Sequence, residues 1–130
     1  MKTFQLTRAS DAGRILNPLA GRNQIEGAVV MGIGMALLEH TSYDPQSGAP
    51  INSNLADYMV AVNADVPPIE VHFVDFPDKE INELGARGIG EIGLAGIGAA
   101  VTAAVHHATG VRVRELPVKI EDLLTSSVLS

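Results

Sequence analysis

The sequence predicts an α+β fold, with two buried helices packed on a small sheet of three or four strands. Three observations predict it. Residues 24–40 (QIEGAVVMGIGMALLEH) are apolar nearly all round, as in a helix covered on several sides. Residues 69–76 (IEVHFVDF) alternate strictly, the period of a strand. Residues 91–109 form a second apolar run, and Gly110 follows it as a helix stop.

In chain order, residues 2–9 (KTFQLTRA) alternate in part and are expected to form a short strand. Asn17-Pro18 reads as a turn. In the first helix, Ile25, Ala28, Val29, Gly32, Ile33, Ala36 and Leu37 fall on one face, and Val30, Met31, Met35 and Leu38 fill most of the rest. Gly27, Gly32 and Gly34 each cost such a helix about 1 kcal/mol relative to alanine, which predicts close packing against backbone or ligand. Residues 43–48 are turn-rich, residues 52–62 lack clean periodicity, and Val66-Pro67-Pro68 breaks the chain before the strand at 69–76. Residues 77–87 are expected as loop. Residues 111–118 (VRVRELPV) alternate and read as another strand, residues 121–124 as a short final helix, and TSSVLS as a polar tail.

Composition narrows the function. A chain of 130 residues can bury roughly two-thirds of its unfolded surface, so a single domain over 1–130 is expected. The hydrophobic fraction of 46% and charged fraction of 18% are those of a folded chain rather than a disordered one. A net charge of −6, with no basic stripe, argues against nucleic acid as partner. Without cysteine the chain offers no disulfide, thiolate zinc site or cysteine-ligated iron–sulfur cluster. Its opening residues contain no signal-peptide core, and localisation stays open between cytoplasm and periplasm. The stretch from Ile92 to Val111 has no Asp, Glu, Lys or Arg, yet its glycines, alanines and paired histidines read as a buried helix rather than a membrane span.

The densest chemical signal is residues 85–98 (GARGIGEIGLAGIG), where repeated glycines mark backbone that approaches something closely or takes positive φ. Gly88 to Gly93 formally fits a G-x-G-x-x-G dinucleotide motif. No strand leads directly into it, and no parallel strand order is evident to support it. Glu91 is the carboxylate within this run. It reads either as a first-turn residue favoured by the helix dipole or as a base presented on a glycine-rich turn. Gln24 reads either as a helix-start residue or as an amide aimed at a polar ligand. His106 and His107 point about 100° apart on a helix and cannot chelate one metal, so one is expected to pack and the other to be solvated. No metal-ligand set is recognisable, and Ser10 and Ser53 have no base at a recognisable spacing.

Five segments together resemble a known family. They are DAGRILNP (11–18), QIEGAVVMGIGMALLE (24–39), NSNLADYMV (52–60), PPIEVHFVD (67–75) and ELGARGIGEIGLAGIGAAVTAAVHHATGVRVRELPV (83–118). In this order and with similar gaps, they resemble the C-terminal segment of the molybdenum-binding large subunit of the xanthine dehydrogenase and aldehyde oxidoreductase family. The LGARGIGEIG variant is most similar to bacterial periplasmic-type aldehyde oxidoreductases, whose pterin carries a cytosine dinucleotide.

The resemblance implies roles. Glu91 matches the family's glutamate beside molybdenum, a general base that takes a proton from a metal-bound hydroxyl as its oxygen attacks the substrate carbon. Gly88, Ile89 and Gly90 match backbone that abuts metal and pterin, and Gln24 matches a glutamine that approaches the cofactor. The implied cofactor is molybdopterin, as the cytosine dinucleotide, with molybdenum in the complete enzyme. The implied partners are the remainder of the large subunit and iron–sulfur and FAD subunits or domains, with no membrane. Family large subunits are much longer, so this chain alone is expected neither to retain molybdenum nor to oxidise aldehyde, and its apolar surface is expected to favour self-association. The alternative is a non-catalytic interaction module, or a split-enzyme subunit, reusing the fold.

Overall fold

The structure, a computed structural model, describes residues 5–125. Strand β1 is Leu6–Ser10, helix α1 Pro18–Leu37, strand β2 Ile69–Phe73, helix α2 Ile97–Thr109 and helix α3 Ile120–Thr125, with a 3-10 turn at Asn63–Asp65. The class is α+β. The chain divides into two compact units, Met1–Val30 with Asp65–Ala95 and Met31–Ala64 with Gly96–Ser130.

In the first unit, β1 and β2 pair in parallel, with Leu6 opposite Ile69, Arg8 opposite Val71 and Ser10 opposite Phe73. The sheet therefore has two strands where three or four were expected, and a parallel order where none was evident. Leu6 and Ser10 are buried, which places Arg8 on the same inward face by the two-residue period. Glu70 and His72, exposed and 3.7 Å apart, mark the outer face. A two-stranded sheet is marginal alone and needs a helix behind it. Helix α1 supplies it at Gly21, where an added Cβ would lie 3.3 Å from the Phe73 ring. The core of this unit is Leu6, Ala12, Ile25, Ala28 and Val29.

Helix α1 starts six residues before the expected Gln24. Asn17 caps it, its Oδ1 accepting the Ala20 N–H at 3.0 Å, and Pro18 occupies the first helical position, where a missing N–H costs nothing. The pair read as a turn is thus a helix start, and Gln24 lies in the second turn. The helix ends before His40, with the Leu38 and Glu39 amides both donating to the Gly34 carbonyl.

In the second unit, α1 and α2 meet at Gly32, where an added Cβ would lie 2.6 Å from Ile97 Cβ. One of the helix glycines thus has the close-packing role its propensity cost implied. Ile33, Ala36, Ile97, Val101 and Val118 form the core here. Helix α2 begins at Ile97 rather than near Glu91, because Gly96 adopts φ +83°, a left-handed conformation that breaks the helix. Its end is where Gly110 predicts, with φ +78° and its N–H donating to the His106 carbonyl at 2.7 Å. The strand expected at 111–118 does not form. Alternation makes a strand only where an edge is available, and among the described residues none pairs with it. Val118 N–H donates instead to the Ala36 carbonyl at 2.8 Å. The final helix covers the expected 121–124. Residues 2–4 of the first expected strand and 126–130 of the tail lie outside the described residues.

Candidate functional site

The glycine-rich segment is fastened at its entrance. Residues 11–14 and 85–87 run antiparallel, with the Arg14 N–H donating to Gly85 O and the Arg87 N–H to Ala12 O, both at 2.8 Å. Gly13 sits at φ +63°, and a Cβ there would collide with Gly85 O, so no other residue fits this crossing. The Arg87 guanidinium bridges Asp11 at 3.3 Å and Asp78 at 2.9 Å. These partly exposed pairs are worth up to about 1 kcal/mol each.

Beyond Arg87 the segment touches α1 at two points. The Ile89 side chain settles over Gly21, 3.3 Å from where a Cβ would stand. Gly93 is buried against the helix, and its Cβ would fall 2.9 Å from Ala28 Cβ and 3.1 Å from Ile25 Cα. Between these anchors lie Gly90 and Glu91, both exposed. Across the turn, Arg8 donates from Nη2 to Ile92 O at 2.8 Å and from Nη1 to Ala95 O at 3.0 Å.

Residues 90–96 are therefore a series of turns, and Glu91 is not a first-turn residue of α2. Its side chain, like that of Gln24, has no hydrogen bond among the described residues, and both are exposed. Gln24 and Ile89 share one concavity of about 240 Å³, walled also by Ala12, Arg14, Ile15 and Arg87. Gly88, Gly90 and Glu91 stand outside its wall. Gly27 on α1 and Gly88 and Gly90 in the glycine-rich segment differ from the glycines described above. An added Cβ at each would meet nothing within 4 Å, and none has positive φ. Neither packing nor conformation within the described residues requires glycine there.

The other polar candidates lie elsewhere. His106 is half-buried, 3.1 Å from Arg112 Nη2, while His107 is exposed, the split expected of adjacent helical histidines. Among the described residues no group of three His, Asp or Glu side chains is placed to hold a metal ion, and no helix is long and apolar enough to cross a membrane.

The molybdopterin cofactor-binding domain family matches residues 1–67, just over half of the chain. The chain belongs to that family, within the xanthine dehydrogenase and aldehyde oxidoreductase group. It is 46% identical to the aldehyde oxidoreductase molybdenum-binding subunit of Escherichia coli strain K12, over 87% of this chain and 15% of that protein. Against the putative xanthine dehydrogenase molybdenum-binding subunit of the same strain the identity is 37%, with the same coverage. The solved aldehyde oxidoreductase from Desulfovibrio desulfuricans ATCC 27774 superposes with a TM-score of 0.81 at 31% identity, over 95% of this chain and 13% of that one. The chain thus spans about 15% of the length of the curated relatives it matches.

The residues present suit a flat molybdopterin. The backbone at Gly88 and Gly90 has open space beside it that a flat group would fit, and the exposed Gln24 amide carries both a donor and an acceptor. The dinucleotide motif remains formal, since residues 74–87 separate Gly88 from the end of β2. What the sequence does not reveal is Arg8. Its only trace is a charge placed, by period two, on the same strand face as Leu6 and Ser10.

Proposed function

We propose that this chain lines the molybdopterin site of a molybdenum hydroxylase that oxidises aldehydes or related substrates, with Glu91 as general base. The observation that carries this reading is the pair Gly88 and Gly90 in the glycine-rich segment, glycines with open space beside them and no conformational need for glycine. A cofactor lying against the glycine-rich segment accounts for both.

When bound, the molybdenum cofactor supplies a two-electron oxidation whose oxygen comes from water. The chain supplies the surroundings. Gly88, Ile89 and Gly90 would offer uncovered backbone to the pterin, in its cytosine dinucleotide form, and the Gln24 amide would hydrogen-bond a polar edge of it. Glu91 accepts a proton at a carboxylate oxygen, and positioned bases of this kind contribute about 10²–10⁴-fold to rate. Ile89, held over Gly21, and Gly93, held on α1, fix the height of Glu91 above the helix.

The remaining contacts come from the rest of the large subunit, with iron–sulfur and FAD partners carrying electrons away. Exposed Leu16, Leu19, Phe76 and Ile81, each more than 60% accessible, support an extensive covering partner. The chain alone therefore neither retains molybdenum nor turns over aldehyde.

Gly88→Ala and Gly90→Ala test this reading. Both are expected to leave the urea midpoint of the 130-residue chain unchanged, and to lower the molybdenum content of a complete subunit carrying this segment. Full molybdenum content in both variants would refute it, as would stoichiometric molybdenum on the isolated chain.

A further inference from the structure

We infer that Arg8 is a positioning residue for Glu91, clamping the turn from which that carboxylate projects; the inference rests on Glu91 being the base. Arg8 lies on the inward face of β1, between buried Leu6 and Ser10, and its guanidinium is partly buried. Among the described residues no carboxylate pairs with it. Its two terminal nitrogens go instead to two main-chain oxygens, Ile92 O at 2.8 Å and Ala95 O at 3.0 Å. A structural arginine placed for charge neutralisation would face an acid. This one is given over to a turn.

The turn needs it. Among the described residues neither Ile92 O nor Ala95 O receives a backbone N–H, because residues 90–96 form turns and the helical ladder begins only at Ile97. The Glu91 carbonyl is taken by the Leu94 N–H at 3.1 Å. Three carbonyls following the Glu91 Cα are thus engaged, two of them by Arg8. Gly93 between them is pressed on Ile25 and Ala28. On the other side, Gly90 and Gly88 have open space and the backbone freedom of glycine. Glu91 is therefore held from its C-terminal side, and Arg8 supplies the polar half of that hold. A planar fork reaching two oxygens at once is a geometry that lysine does not reproduce.

The test begins with amide hydrogen exchange on the 130-residue chain, comparing wild type, Arg8→Met and Arg8→Lys. Arg8→Met is expected to speed exchange within residues 91–95, at the hydrogen-bonded Leu94 amide, by about tenfold or more, the equivalent of one lost charge-assisted hydrogen bond. Amides of residues 25–30 should change less, and Arg8→Lys should fall between. Equal acceleration at both segments, or none at 91–95, overturns the inference. Should Arg8→Met fail to fold, Arg8→Lys decides by the same local-to-helix ratio.

In a complete subunit at equal molybdenum content, Arg8→Met should lower kcat about tenfold while KM stays within about twofold, with partial recovery in Arg8→Lys. Unchanged kcat in Arg8→Met beside an inactive Glu91→Gln overturns the role of Arg8 and leaves the base intact. A fully active Glu91→Gln removes the base, and with it the positioning role, whatever the exchange result.

Discussion

Gly93 lies against Ile25 with no room for a side chain: a Cβ on Gly93 would stand 3.1 Å from the Ile25 Cα. Ile25 is fully buried, so helix α1 cannot yield there without disturbing the core of the first unit. The second anchor of the glycine-rich turn thus depends on Gly93 having no side chain.

Gly93→Ala is accordingly expected to destabilise the chain by about 1–3 kcal/mol, the range for overpacking a filled site. Urea denaturation measures it. Gly88→Ala and Gly90→Ala, with nothing within 4 Å, serve as controls in the same titration.

Asn17→Ala removes the acceptor for the Ala20 N–H and should cost about 1 kcal/mol. Pro18 still sets φ for the first turn, so the helix should shorten rather than vanish. The expected readout is a lower urea midpoint with a small loss of helical circular dichroism. An unchanged midpoint would show that Asn17 does not cap.

Two groups tie stability to pH. The Tyr58 phenol donates to Glu39 Oε2 at 3.0 Å, and this bond to a carboxylate raises its pKa above the ordinary 10.0. Its stabilisation is complete below the unfolded pKa near 10 and is lost as pH rises through the raised native value. The stability gap between wild type and Tyr58→Phe should therefore be constant through neutrality and shrink in alkali. Asp44 has the opposite sign. Backbone N–H groups of Ser47 and Gln46 donate to its Oδ1 at 3.0 and 2.7 Å and lower its pKa below 3.8. Its contribution is present above the unfolded pKa and lost as pH falls through the depressed native one. The gap between wild type and Asp44→Ala should close only in acid. A gap that closes at neutral pH in either variant would contradict these assignments.

Much of this was legible in the residues, and the misreadings have physical causes. Gly110 announced a helix end because a left-handed closing residue favours glycine, and the alternation from Ile69 announced β2. The start of α1 was hidden because Leu19, Arg22 and Asn23 are exposed, so its first turns carry no apolar period, and Asn-Pro serves turns and helix starts equally well. The start of α2 was misplaced because Glu91 followed by apolar residues looks like a first turn, while the left-handed Gly96 that forbids it looks like any other glycine. Residues 111–118 have the pattern of a strand but no described partner, and a pattern along one chain cannot supply the neighbour. At the site, the glycine run and Glu91 were visible in the composition of one segment. Arg8 was not, because its partners are carbonyl oxygens more than eighty residues away.

The most direct measurement is the rate of aldehyde oxidation by a complete molybdenum-binding subunit carrying this segment, wild type against Glu91→Gln, at equal molybdenum content. A base working at Glu91 predicts a kcat lower by about 10²-fold or more, since glutamine keeps the shape but accepts no proton. An undiminished kcat would contradict the account at its centre and leave Glu91 an exposed residue on a well-anchored turn.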